Sequence, residues 1–170
     1  MRLEFVATIC NGGDYKHFGE GNIPVYGTSG IMTYIDKYVY DKPTVLIPRK
    51  GSLDKLYYVD TPFWNVDTIF YTKINTTIVL PKYLFYLLQK EHLEQYNTAG
   101  GVPSLTQSTL NKIALQIPTI EEQTRVVAIL DKFDRLCNDI SEGLPAEIYS
   151  RQKQYEYYRD KLLTFKSLND

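Results

Sequence analysis

The sequence predicts an α+β chain, a strand-rich body followed by a two-helix, coiled-coil-like appendage. Three observations predict it. Short runs rich in β-branched and aromatic residues alternate with glycine-bearing turns through the first eighty residues. From Thr119 onward apolar residues instead recur at three- and four-residue steps, the period of a helix face. That second pattern is broken at Gly143-Leu144-Pro145 and then resumes.

The elements follow in chain order. Gly12-Gly13 and Gly19-Glu20-Gly21-Asn22 read as turns. Ile23-Pro24-Val25-Tyr26 is a short strand closed by Gly27-Thr28-Ser29-Gly30, and Ile31-Met32-Thr33-Tyr34-Ile35 follows it. Thr44-Val45-Leu46-Ile47-Pro48 is continuously apolar after its first residue, as a strand covered on both faces is. Leu56-Tyr57-Tyr58-Val59 and Thr68-Ile69-Phe70-Tyr71 are further strands. Pro81 opens a helix through Lys90, because the first helical N–H has no intrahelical partner and proline loses nothing there. A turn near Ser108 and Thr109 precedes Ile113-Ala114-Leu115-Gln116-Ile117-Pro118, which alternates like a strand. Thr119 is an N-cap, with Glu122 three residues on to complete a capping box. Val126, Ile129, Phe133, Leu136 and Ile140 form one apolar seam; Ile148, Tyr155 and Leu162 continue it on the second helix. The domain boundary falls at 118/119.

Charge does not announce a nucleic-acid binder. The net charge is −1. Residues 1–118 hold 11 cations and 10 anions, a net of +1, and residues 119–170 hold 8 and 10, a net of −2. Any contact with a polyanion must come from a local patch. No apolar run approaches the ~18 residues of a membrane span, and Cys10 and Cys137 read as isolated thiols, so the expected compartment is the cytoplasm. Tyrosine is abundant, at 15 of 170 residues. Its ring suits strands and its hydroxyl suits interfaces.

Catalytic constellations are not apparent. His17 and His92 belong to no metal-binding spacing. Gly19-x-Gly21-x-x-Pro24 breaks the dinucleotide fingerprint, and Gly100-Gly101 lacks the Lys-Ser/Thr of a phosphate loop. The reading is a non-enzyme with no cofactor and no metal. Binding features are stronger. Arg49-Lys50-Gly51-Ser52 follows the buried strand, where two cations, a glycine and a hydroxyl can approach phosphates or base edges; a solvated turn is the plainer alternative. Thr28 and Ser29 offer small hydroxyls on a loop, and Lys16 beside Gly12-Gly13 is a weaker candidate.

Several segments carry a family resemblance. They are Asn11-Gly12-Gly13-Asp14-Tyr15-Lys16-His17, Gly21-Asn22-Ile23-Pro24-Val25-Tyr26-Gly27, Ile47-Pro48-Arg49-Lys50-Gly51-Ser52, Phe63-Trp64-Asn65-Val66-Asp67-Thr68 and Ile117-Pro118-x-x-Glu121-Glu122-Gln123. The tail from Leu130-Asp131-Lys132-Phe133 through Gly143-Leu144-Pro145-Ala146-Glu147-Ile148 to Arg159-Asp160-Lys161-Leu162-Leu163 continues the match. Together they resemble the specificity (S, HsdS) subunit of type I restriction–modification enzymes. The resemblance implies a non-catalytic subunit that recognises DNA sequence. Such subunits carry two target recognition domains, each reading half of an interrupted site, and conserved helices that dock methyltransferase (M) subunits and, through them, the restriction (R) subunit. This chain has one recognition domain (1–118) and one helical region (119–170), about half of that pattern. The resemblance therefore implies a homodimer on double-stranded DNA, with the helical seam at its interface and Arg49, Lys50, Gly51, Ser52, Thr28, Ser29 and Lys16 facing DNA. The rival reading is a protein-interaction module whose helical tail docks a partner and whose body has no DNA role.

Overall fold

A computed structural model of the chain describes residues 1–97, 100–139 and 145–164; side chains at 136–139, 145–146 and 148 are not described. Two sheets and a helical layer make up the fold. The larger sheet is antiparallel throughout and joins β1 (Ala7–Cys10), β7 (Ile69–Ile74), β4 (Thr44–Pro48) and β5 (Tyr57–Val59) in the order β1-β7-β4-β5. The smaller joins β3 (Gly30–Ile35), β2 (Glu20–Gly27) and β6 (Trp64–Asn65), with β2 and β6 parallel.

Every residue of β4 is buried, as its continuous apolar run requires. Its polar member, Thr44, is satisfied across the sheet. The Thr44 hydroxyl donates to the Thr72 carbonyl at 2.7 Å and accepts from the Thr72 N–H at 3.0 Å. Between the sheets lies an aromatic cluster. Tyr26 meets Tyr57 at 5.9 Å and Phe63 at 6.3 Å, and Tyr71 meets Phe63 at 5.9 Å and Tyr40 at 5.5 Å between ring centroids. Four of the 15 tyrosines are spent here, in tilted and edge-to-face pairs.

Three short segments differ from expectation. Residues Leu3–Val6 form one turn of helix, α1, inside a region read as strands and turns. Its Leu3 N–H donates to the Ile113 carbonyl. Residues 113–118 are extended, with Ile113, Leu115 and Ile117 buried and Ala114 and Gln116 exposed, but they pair by a single bridge, Arg2 with Ala114. The alternation is real; its partner is residues 1–3, through the Leu3 N–H to Ile113 O and the Leu115 N–H to Met1 O, and the start of α1 at Leu3 keeps that pairing short. The glycines at 19–22 are not a turn either. Glu20–Gly27 is one strand with an irregularity between Glu20 and Ile23.

The helical layer begins with α2 (Pro81–Lys90), which opens at Pro81 as expected and covers β4 and β5. A 3₁₀ turn at Leu93–Tyr96 and α3 (Gln107–Asn111), capped by Thr106, lead to α4 (Ile120–Asp139) and α5 (Pro145–Leu162). Thr119 accepts the Glu122 N–H at 3.4 Å, but the Glu122 carboxylate turns to Arg125, at 2.6 and 2.8 Å, so the capping box is half made.

The two C-terminal helices follow the strand-rich body as expected and pack on it. Helix α5 returns along α4, where Phe133 stacks on Tyr158 at 5.7 Å, and both pack against α2. Val126, Leu130, Tyr155 and Leu163 are buried in the principal core with Leu84, Leu87 and Tyr86. The apolar face of α2 that β4 leaves uncovered supplies the third wall, and Val126 and Tyr155 of the seam close on the chain itself.

Candidate nucleic-acid interface

Four turns converge at one end of the junction between the sheets. They are residues 13–16 after β1, 27–29 between β2 and β3, 66–68 between β6 and β7, and 49–52 after β4. The first three, with Met32, wall an open cleft of about 710 Å³.

The cleft is held by backbone and half-buried hydroxyls. The Thr68 carbonyl is its hub: it accepts the Arg49 N–H at 2.9 Å, the Thr28 hydroxyl at 3.0 Å and the Lys50 N–H at 3.3 Å. A carbonyl oxygen has two lone pairs, so the third and longest of these is the weakest. Tyr57 Oη donates to the Thr28 carbonyl at 3.0 Å. Burial pushes the Tyr57 phenol up, and Asp54 adds to it, so that hydroxyl stays a donor. Trp64 Nε1 donates to the Gly13 carbonyl at 3.1 Å, and the Gly13 N–H donates to the Asn65 carbonyl at 2.9 Å. Gly12 is required by close approach: a Cβ there would lie 2.0 Å from the Val66 carbonyl oxygen. Gly51 is required by conformation, with φ at 87°. Behind the 49–52 loop, residues 103–105 act as a brace. The Gly51 N–H donates to Pro103 O at 3.0 Å and the Leu105 N–H to Arg49 O at 2.9 Å, while Lys50 bridges to Ser104.

The expected contact residues therefore gather on one face but are not equivalent. Lys16, Ser29, Lys50, Gly51 and Ser52 are exposed. Lys16 and Lys50 make no ion pair among the described residues. Thr28 lines the cleft, yet its proton is committed to Thr68, so it offers a ligand lone pairs only. Arg49 is anchored: half-buried, it donates to the Asp67 carbonyl at 3.4 Å and lies 5.7 Å over the Phe70 ring. The cleft also holds residues the sequence reading passed over, Tyr15, Met32, Val66 and Asp67. Asp67 and Thr68 could have been found, since they close the Phe63–Thr68 run. Met32 gave no signal beyond its place in an apolar run, because the pleat of β3 decides which face it takes. Asp14, Asp67 and Lys16 all line the cleft, so the lining is of mixed sign, and Lys50 lies outside it on the adjoining loop.

His17 is exposed, its ring tilted at 45° to Phe18 with centroids 4.0 Å apart; His92 has a left-handed backbone and faces Glu94 at 3.3 Å. Among the described residues no group of three or more His, Cys, Asp or Glu could hold a metal ion, and no helix is long and apolar enough to cross a membrane.

The seam residues are divided. Val126 and Tyr155 are in the chain's own core, Ile129, Phe133 and Leu162 are half-buried, and Ile140 and the side chains of Leu136 and Ile148 lie outside the described residues. On α5 the inward positions are Tyr155, Arg159 and Leu163, while Tyr149 and Tyr157 are exposed.

Comparison with known proteins gives a consistent result. The family described as "Type I restriction modification DNA specificity domain" matches residues 5–150. A Haemophilus influenzae protein provisionally named type I restriction enzyme specificity subunit S.HindORF215P is 36% identical over 163 residues, covering 85% of this chain and 42% of its own. The Escherichia coli EcoR124I/EcoR124II specificity subunit is 45% identical over 91 residues, covering 51% of this chain and 22% of its own. Among solved structures, the type I restriction–modification S subunit of M. genitalium superposes with a TM-score of 0.69 at 17% identity, over 84% of this chain and 40% of that one. The chain spans less than half the length of these relatives.

Proposed function

The chain belongs to the type I restriction–modification DNA specificity family, and on that premise we propose that it reads one half of a two-part DNA target through the cleft at the sheet junction. The observation that carries the reading is the convergence of four rigidly braced turns on one open face, with Lys16 and Lys50 unpaired there among the described residues and Ser29 and Ser52 exposed. Lysines on that face grip phosphates and fix register, and hydroxyls in the turns are free to meet base edges. The chain supplies no chemistry of its own. Methyltransferase subunits dock on the helical pair and bring methylation, and restriction subunits join through them.

One cleft reads one half-site, so a complete target needs a second reader. A second copy of this chain supplies it most simply, in inverted orientation. Val126 and Tyr155 cannot serve that contact while the helix pair is closed. The outward face of α5, with Tyr149 and Tyr157 exposed, is the surface left for it. Sedimentation with the methyltransferase subunit present is expected to give two copies per assembly; one copy at tens of micromolar removes the twin.

The test of the function is co-expression with the cognate methyltransferase subunit, followed by DNA binding across a salt series. Binding that prefers one duplex sequence and weakens with salt is expected. Failure to bind any duplex, with the methyltransferase subunit bound, leaves the interaction-module reading, which the mixed charge of the cleft favours.

A further inference from the structure

Helix α4 is fixed to the reading body by two polar attachments eight residues apart. At its start, Gln123 is fully buried and spends its whole amide on backbone outside the helix. Its Nε2 donates to Ile78 O at 2.9 Å and Pro118 O at 3.0 Å, and its Oε1 accepts the Leu80 N–H at 2.8 Å. Two turns on, the Asp131 carboxylate is held by two side chains one turn apart on α2. Tyr86 Oη donates to Oδ1 at 2.6 Å and Lys82 Nζ to Oδ2 at 2.8 Å. Lys82 is itself seated 5.6 Å over the Tyr58 ring of β5, in the sheet that carries the 49–52 loop. Val126 and Leu130 pack between the two attachments, but apolar contact is non-directional and tolerates sliding. The polar pair is what defines a direction, since two points fix an axis and one leaves a pivot.

We propose that the Lys82–Asp131–Tyr86 clamp sets the angle between cleft and helices, and so fixes the spacing between the two half-sites the assembly accepts. This rests on the recognition reading above and names positioning residues, none of which touches DNA. The lever arm suits the task. A base-pair step is about 3.4 Å and about a tenth of a turn. A swing of about 8° about Gln123 moves the far end of α4, about 24 Å away, by one such step. With the clamp closed a neighbouring spacing strains two charge-assisted hydrogen bonds; with it open the helix pivots to meet that spacing.

The experiment maps methylated bases in cells carrying the full chain with its methyltransferase subunit. Wild type is expected to give one two-part motif with one spacing. Asp131→Ala is expected to keep the same bases in each half while raising methylation at spacings one base pair shorter and longer by about ten-fold, the equivalent of one lost charge-assisted hydrogen bond. Tyr86→Phe, which removes a single hydroxyl, is expected to do the same to a smaller extent. An unchanged single spacing at full methylation in Asp131→Ala overturns the proposal. If that variant methylates nothing, Tyr86→Phe decides, and a single spacing there overturns it too. If wild type yields no two-part motif, the recognition reading fails and the clamp proposal falls with it, an outcome distinct from the others because it precedes any substitution.

Discussion

Lys50 and Arg49 stand side by side after β4 and have opposite commitments. Lys50 is exposed without an ion pair among the described residues, whereas Arg49 is tied to Asp67 O and the Phe70 ring. Lys50→Ala is therefore expected to weaken binding to all duplexes alike and to lower the slope of log K against log salt by about one unit. An unchanged slope removes Lys50 from the interface. The glycines at 12 and 13 separate in a similar way. A methyl group at 12 meets the Val66 carbonyl at 2.0 Å, while at 13 the nearest neighbour is Trp64 at 3.6 Å. Gly12→Ala is expected to cost about 2 kcal/mol or more in denaturant unfolding, as overpacking does, and Gly13→Ala to stay within about 0.5 kcal/mol. Equal effects would mean the loop relaxes freely. At this scale the sequence was legible for residue type and poor for commitment. Arg49, Lys50 and Thr28 were marked from their chemistry, but whether a hydroxyl or guanidinium is already spent depends on partners 18 to 40 residues away.

At the scale of elements, the start of α4 is bound through Gln123. Truncation to alanine strands the Leu80 N–H and the Ile78 and Pro118 carbonyls, so Gln123→Ala is expected to lose about 3 kcal/mol of stability. Tyrosines at the heart of the body give the fold an alkaline limit. Burial pushes the Tyr71 phenol up to about 12, with the Cys10 hydrogen bond adding to it, and burial raises Tyr83 and Tyr86 further, Tyr86 also through Asp131. An unfolded tyrosine ionises near pH ~10. Above that the unfolded chain has released phenolic protons that the folded chain retains, so stability is fully present below about pH 10 and declines as pH rises toward the folded values. Each buried tyrosine contributes a slope of about 1.4 kcal/mol per pH unit in that window. Tyr86→Phe is expected to remove one such share, measured by urea unfolding between pH 9 and 12; an identical slope means the phenol ionises freely when folded. Strands β4, β5 and β7 and the start of α2 were readable from local pattern. Residues 113–118 were not, because a strand needs a partner as well as alternation. Just past the end of α5, Leu163 enters the core, while Leu162 is half-buried.

For the whole molecule, the family could be read from dispersed segments, and its α+β class from their periods. What pattern alone could not reveal was that Val126 and Tyr155 of the helical seam are buried in the chain's own core. Whether an apolar stripe meets a second copy or its own body depends on where α2 leaves a gap, and that is a property of the assembled core. The central claim is that the face formed by residues 13–16, 27–32, 49–52 and 66–68 meets DNA. Hydrogen exchange of the chain bound to its methyltransferase subunit, with and without a duplex carrying its recognised sequence, tests this most directly. Protection concentrated in those four segments is the predicted result. Unchanged exchange there, with new protection confined to other surfaces of the chain, contradicts it.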